Sequence, residues 1–303
     1  LEDYAELKLK QTTVREYRGS INKYLIPYFN DIPLVAITPQ FCQSLVTHLV
    51  KETDLSNKTI SNILVPLKRM FRHAVRWGFL KQNPASDIEK PRIEHKEMDF
   101  YTPMEALELL DALDEPYKTL FMTALGTGLR QGELFGLTKP CVDLTMPTIQ
   151  VRWQLSRDRK LTRPKTKAAL RAVPIGPRLA SALGQHLETI PDSELNLVFC
   201  TAKGTPYLQS NIDRRVFAPT VKKAGIKKIR FHDLRHTYAC WLASRGENIK
   251  YIQKVMGHSS ITTTLDRYGH LLPDTGAGIA ERHEAQLYGR ITVKSFQAGV
   301  ADK

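Results

Sequence analysis

The chain has 303 residues, more than one typical core organises and suited to two domains. Hydrophobic residues make up 42% and charged residues 25%, which excludes global disorder, and no apolar run approaches the length that spans a bilayer. Lys and Arg number 44 against 31 Asp and Glu, and the net charge of +13 points to a polyanionic partner, nucleic acid before a membrane surface.

No signal-peptide pattern follows Leu1, so the chain reads as cytoplasmic and as lacking its native beginning. Cys42, Cys141, Cys200 and Cys240 are scattered, with no CxxC pair, and read as buried thiols rather than a metal site or a disulfide framework.

Residues 12–29 open with a capping Thr and carry apolar groups at helical spacing, and Pro27 predicts that the helix ends near there. Thr38-Pro39 starts a second helix, with Phe41, Leu45 and Leu49 on its apolar side. A third runs from Ser56 to about Trp77, because Ile60, Ile63, Leu64, Leu67, Phe71, Ala74 and Val75 recur at i, i+3, i+4 and i+7. Lys58, Arg69, Arg72 and Arg76 fall together on the opposite side of the wheel, in a stretch without Asp or Glu. A charged face is usually a solvated one, but an all-basic face repels itself unless an anion lies against it, so solvation and DNA contact both stand. Pro66 predicts a kink or break. Gly78 and Asn83-Pro84 close the region, and charged, aperiodic residues follow. Residues 1–93 therefore read as a small, basic, all-helical domain and 94–102 as a linker.

The second domain, 103–290, begins at the helix start Thr102-Pro103-Met104-Glu105. Residues 117–137 form a helical run interrupted by Gly126-Thr127-Gly128, a turn that leaves Arg130 at the start of the second helix. Residues 148–155 alternate like a strand, and 161–175 read as a turn and a strand ending in Val173-Pro174-Ile175. Helices follow at 177–189, near 210–224, 232–245, 248–256 and 261–268, with a short strand at 197–200. The fold class is mainly α with a small antiparallel sheet. Residues 271–276 look like a connector, 277–289 like a short helix with Ile279, Ala280, His283 and Leu287 along one side, and 291–303 like a tail.

His232 and Arg235, three residues apart, share one helical face. An imidazole beside a guanidinium is a poor core pair but a good cradle for phosphate, which the planar Arg fork matches. His232 and His236, at i and i+4, have the spacing of zinc ligands, but no Glu follows His232 and the neighbours are cationic. Arg130 alone reads as a surface ion-pair partner, and Tyr268 alone as half-buried packing.

In chain order come Thr-Gly-Leu-Arg-Gln-Gly-Glu-Leu (127–134), Pro-Lys-Thr-Lys (164–167), His-Asp-Leu-Arg-His-Thr (232–237), Gly-His-Ser-Ser (257–260) and Tyr-Gly-His (268–270). This order resembles the catalytic set of the tyrosine recombinases, the phage-integrase family, and the first domain is similar to that family's core-binding domain. The resemblance implies that Tyr268 is the nucleophile on the scissile phosphate and that Arg130 and Arg235 bind its non-bridging oxygens. It implies that Lys165 protonates the leaving 5′-oxygen, that His232 is an acid/base partner and that His258 donates a hydrogen bond to phosphate. Glu133 sits where the family places a supporting carboxylate, and Met256 precedes Gly257 where Leu is more usual. Lys167 joins Lys58, Arg69, Arg72 and Arg76 as a candidate DNA contact.

The implied activity is cleavage and rejoining of double-stranded DNA at core recombination sites, through a 3′-phosphotyrosine, by a homotetramer on DNA in the bacterial cytoplasm and nucleoid. Neither metal nor ATP is implied, because Arg, Lys and His supply the charge and the covalent bond keeps the phosphodiester energy. Accessory DNA-bending or directionality factors are implied partners. Integrases often carry an extra N-terminal arm-binding domain; a chain that opens at Leu1 has no room for one, which fits its removal as well as its never having existed. The Pro-Lys-Thr-Lys…Val-Pro-Ile stretch (164–175) favours a mobile-element or prophage integrase over a chromosome-dimer resolvase. A type IB topoisomerase uses a similar constellation without a partner site, and a DNA-binding regulator gives no reason for Tyr268 to follow Gly257-His258.

Overall fold

The computed structural model describes residues 5–93, 98–273 and 279–288. The first part of the expected linker (94–97), the end of the expected connector and the tail 291–303 lie outside these. The chain divides into two compact units, Leu1–Glu97 and Met98–Lys303.

The first unit is helical: α1 (Ala5–Lys8), α2 (Gln11–Ser20), a π turn (Ile21–Leu25) into α3 (Ile26–Phe29), α4 (Pro39–Glu52) and α5 (Asn57–Arg76). Thr38 Oγ1 accepts from the Phe41 amide at 3.1 Å and Ser56 Oγ from Thr59 at 3.2 Å, so α4 and α5 begin where side-chain caps satisfy free amides. The expected Thr cap at the first helix is absent. That helix starts earlier, with Lys10 as the cap and its carbonyl taking the Thr13 and Val14 amides.

Pro66 does not break α5. An interior proline costs about 3 kcal/mol. Ile63, Leu64, Leu67 and Phe71 are all buried around it, each worth about 1.5–3 kcal/mol, and offset that loss. They pack with Leu25, Cys42, Leu45, Leu49 and Ile60 in one core. On the other side of α5, Lys58, Arg72 and Arg76 are exposed and Arg69 is half-buried. His73 between them is held below its ordinary pKa by burial and then by Arg69, Arg76, Arg72 and Lys8, which places four cations around one imidazole.

The second unit begins inside the expected linker. Tyr101 is fully buried, its hydroxyl donates to the Lys227 carbonyl at 3.1 Å, and its amide donates to Thr237 Oγ1 at 3.1 Å. Then come α6 (Pro103–Asp111), entered through a capping box between Thr102 and Glu105, α7 (Tyr117–Thr127) and α8 (Gln131–Phe135). Five short strands follow: β1 (Val142–Asp143), β2 (Thr148–Val151), β3 (Gln154–Leu155), β4 (Leu161–Thr162) and β5 (Arg171–Pro174).

The expected 148–155 strand is two. Residues 148–151 pair antiparallel with β5 in a sheet ordered β1-β2-β5, and after Arg152-Trp153 the chain turns off to form a β3-β4 hairpin. The expected 197–200 strand is reduced to single bridges, Thr138 with Leu197 and Cys200 with Pro206.

The remaining helices are α9 (Pro177–Thr189), α10 (Gln209–Ile212), a π turn (Asp213–Phe217), α11 (Ala218–Ala224), α12 (Asp233–Ser244), α13 (Ile249–Met256), α14 (Ile261–Tyr268) and α15 (Ile279–Tyr288). Phe121, Phe135, Phe217 and Phe231 pack ring to ring in the main core, and α12, α13 and α14 share a second cluster that contains Tyr268. All four Cys are free and buried. No described helix is long and apolar enough to cross a membrane.

Candidate active site

Two helix ends organise the site. α7 stops at Gly128 and α13 at Gly257, both in the left-handed region (φ 59° and 61°). A Cβ at Gly128 would strike the Tyr238 ring, and one at Gly257 would lie 3.0 Å from the Ala168 carbonyl oxygen, so both positions need glycine for space as well as for conformation.

The carbonyls at these ends hold the two arginines. Arg235 Nη1 donates to the Gly128 oxygen at 2.6 Å, and its Nη2 donates to the Met256 oxygen. Arg130 Nη2 donates to the Gly257 oxygen at 3.0 Å. The negative end of each helix dipole thus meets a guanidinium.

Glu133 supports Arg130 from beneath. It is 2% exposed, accepts Arg130 Nη1 at 2.8 Å, and is gripped by Arg171 through Nη1 at 3.1 Å and Nη2 at 2.9 Å. Arg171 also donates to the carbonyls of Val255 and Ala169. Burial alone would raise the Glu133 pKa, but hydrogen bonds and charge from Arg171 and then Arg130 bring it down to about 2. Arg171 closes a run of eight basic residues between Val151 and its own position, and only the fold reveals that it points inward.

Arg235 is 4% exposed. Burial and then Arg130 lower its pKa to about 9, which still leaves it protonated at neutral pH. Its Nη2 also donates to His258 Nε2 at 3.2 Å, and His258 Nδ1 lies 3.0 Å from Thr264 Oγ1. An arginine can only donate, so Nε2 is the acceptor and the His258 proton sits on Nδ1. Burial, Arg235, Arg130, Arg267 and Arg171 push the His258 pKa down to about 3, consistent with a neutral ring.

His232 caps α12, one position before the helix proper, and is exposed. Desolvation and then Arg235 lower its pKa. Its ring meets that of His236 edge-on, with centroids 5.2 Å apart. Tyr268, at the end of α14, has no exposed surface, and its hydroxyl lies 2.7 Å from His236 Nδ1. Sequence reasoning treated His236 only as a zinc partner of His232. Its partner Tyr268 is 32 residues away, and no local pattern announces the pairing.

The fold therefore brings Arg130, Glu133, Arg235, His258 and Tyr268 together around α7, α8, α12, α13 and α14. Lys165 and Lys167 are exposed on the connection between β4 and β5, and Lys165 makes no hydrogen bond or ion pair among the described residues. Chemically, the cluster offers two fixed guanidinium groups, three imidazoles and one phenol, a set suited to a phosphodiester.

The Phage integrase family profile matches residues 99–274, and the Phage integrase SAM-like domain matches residues 2–91. The ICEBs1 integrase of Bacillus subtilis is 30% identical over 293 residues, covering 91% of this chain and 78% of that protein. A XerC-like tyrosine recombinase of Caldanaerobacter subterraneus is 32% identical over 250 residues, covering 72% of this chain and 63% of that protein. Among solved structures, the Tn1549 transposon integrase in complex with transposon right end DNA superposes with a TM-score of 0.80, at 26% identity, over 92% of this chain and 95% of that one. The chain belongs to the phage integrase family of tyrosine recombinases. Its function is that of a site-specific DNA recombinase of the mobile-element integrase type.

Proposed function

We propose that the protein cleaves and rejoins core recombination sites in double-stranded DNA through a 3′-phosphotyrosine at Tyr268, working as a homotetramer in the bacterial cytoplasm. The observation that carries this reading is the convergence of Arg130, Arg235 and His258 on the ends of α7 and α13, with Tyr268 on the adjoining helix.

Arg130 and Arg235 bind the non-bridging oxygens, where charge builds as the nucleophile approaches. His258 donates to a phosphate oxygen once its Nε2, which accepts from Arg235 in the DNA-free site, has taken up a proton beside the anion, His232 serves as acid/base partner, and Glu133 holds Arg130 in place. Lys165 protonates the departing 5′-oxygen, and its exposed loop carries it to DNA. The fully buried Tyr268 is uncovered when DNA binds.

The guanidinium groups take the electrostatic role that metal ions play in nucleases, and the phosphotyrosine keeps the bond energy, so strand exchange proceeds without ATP. The first unit holds the duplex through the basic face of α5, with Lys58, Arg69, Arg72 and Arg76, and Lys167 adds a contact from the second. DNA-bending or directionality factors set the outcome, integration or excision.

The test is a covalent adduct. Purified protein is mixed with nicked duplexes drawn from the DNA flanking the gene, and the products are resolved under denaturing conditions. Wild-type protein becomes linked to DNA and Tyr268→Phe binds without linking. An adduct of wild-type yield from Tyr268→Phe would remove the nucleophile assignment.

A further inference from the structure

Every role above leaves one buried imidazole of the site without a task. His236 is 3% exposed, sits one position after Arg235 on α12, and has its Nδ1 2.7 Å from the Tyr268 hydroxyl. We propose that His236 is the catalytic base of the tyrosine: it orients the phenol through Nδ1 and takes its proton as the oxygen attacks phosphorus. This inference rests on Tyr268 being the nucleophile.

The proposal requires one tautomer: the phenol donates its O–H to Nδ1, and the ring proton sits on Nε2. Both groups are neutral at pH 7. Burial raises the Tyr268 pKa to about 12, against the lowering by Arg235 and Arg267, with Cys240 adding to the rise. Burial, then His232 and Arg267, lower that of His236 to about 4, with Asp233 opposing and Arg235 reinforcing. The proton therefore stays on oxygen at rest.

During attack the balance changes. The Tyr268 oxygen forms its bond to phosphorus while the bond to the 5′-oxygen breaks. The phenolic proton passes to His236 Nδ1, giving an imidazolium, and the leaving oxygen takes a proton from Lys165. In rejoining, the 5′-hydroxyl attacks and returns its proton to Lys165, the phosphorus–tyrosine bond breaks, and the phenolate recovers its proton from His236. A phosphodiester in the site supplies the negative charge that raises the His236 pKa at the moment it must accept.

His232, the acid/base partner implied by family resemblance, makes no hydrogen bond to Tyr268. It meets the His236 ring edge-on instead and is exposed. That arrangement leaves His232 facing solvent, with His236 on the nucleophile.

The experiment compares wild type, His236→Asn and His236→Ala in single-turnover cleavage of the same nicked duplexes between pH 6 and 9. Asn places an amide oxygen near the Nδ1 position, so it can orient the phenol but cannot take a proton. Both variants should bind DNA as tightly as wild type and form adduct about 100-fold more slowly at pH 7, the low end for loss of a general base. Their rates should rise about tenfold per pH unit as phenolate becomes available, whereas wild type stays flat.

Wild-type rates in His236→Asn would reduce the residue to orientation and overturn the proposal, as would a flat profile in a slow variant. Should both variants misfold, the ¹⁵N spectrum of the wild-type protein decides, because an Nδ1–H tautomer of His236 is incompatible with a base at that nitrogen. Failure of the nucleophile reading is seen separately, as an adduct in Tyr268→Phe.

Discussion

Arg171 and Glu133 form a fork-to-fork pair at 3.1 and 2.9 Å, with both side chains 2% exposed, and the pair ties β5 to α8 beneath Arg130. Breaking a buried pair by removing one partner strands the other charge, at about 3–5 kcal/mol. Arg171→Ala should lower the thermal midpoint on the order of 10 °C and slow cleavage, because Arg130 loses its support. Differential scanning calorimetry checks this, and an unchanged midpoint would show the pair to be dispensable.

The same carboxylate sets an acid limit. The folded pKa of Glu133, about 2, lies below its ordinary 4.5, so its contribution is fully present above pH 4.5 and fades as pH falls toward 2. The difference amounts to at most about 3 kcal/mol. Glu133→Gln should flatten this limb of the stability–pH curve measured by urea titration. A limb of wild-type steepness in the variant would assign the acid sensitivity to other carboxylates.

Local chemistry was legible in the sequence where the partners are neighbours. Thr38, Ser56 and Thr102 cap the helices they precede, and Gly128 ends α7, because cap and turn geometry involves residues two to four apart. What depends on distant partners was not legible. Arg171 has no role in the sequence reading, because the carboxylate it pairs with is 38 residues away. His236 looked like a partner for His232, and Pro66 like a break, until tertiary packing supplied Tyr268 for the one and a buried surround for the other. The Arg130–Arg235–His258 convergence stands between these cases. Its members were named from motif order, but the carbonyls that aim them belong to Gly128, Met256 and Gly257, and only the fold brings these together.

Lys165 has an exposed side chain on the β4–β5 connection. Lys165→Ala should slow cleavage of ordinary DNA, and a 5′-bridging sulfur, which leaves as a thiolate without an acid, should restore much of the rate. Quench-flow comparison of the two substrates makes the distinction. No rescue by sulfur would make Lys165 a phosphate binder or a structural residue, with His232 the next candidate for the acid.

The basic face of α5 predicts salt dependence. Lys58 and Arg72 are exposed, Arg69 is half-buried, and the unbroken helix keeps all three on one side. Replacing them together by Ala should reduce the slope of log affinity against log salt by up to about 2.7, from the B-DNA counterion rule of about 0.9 per phosphate contact. Fluorescence anisotropy over a salt series reads the slope, and an unchanged value would mean that this face points to solvent.

The last prediction concerns α15. Its Leu287 and Tyr288 are 62% and 65% exposed, so the helix keeps large apolar groups in water. A ten-residue helix is marginal alone and needs a surface to cover its apolar side. Folding back on its own domain would have buried these residues. In the homotetramer proposed above, docking on a neighbouring protomer would cover them instead and would couple the chain just after Tyr268 to the occupancy of the next subunit. Cleavage would then wait for synapsis. Truncation after Leu272 should leave binding to a single site intact, weaken assembly of the four-subunit complex on two sites, and release cleavage from that control. Gel mobility and sedimentation of the truncated protein on one and on two sites measure both effects. Normal tetramer assembly without α15 would rule out docking in trans as the source of the coupling.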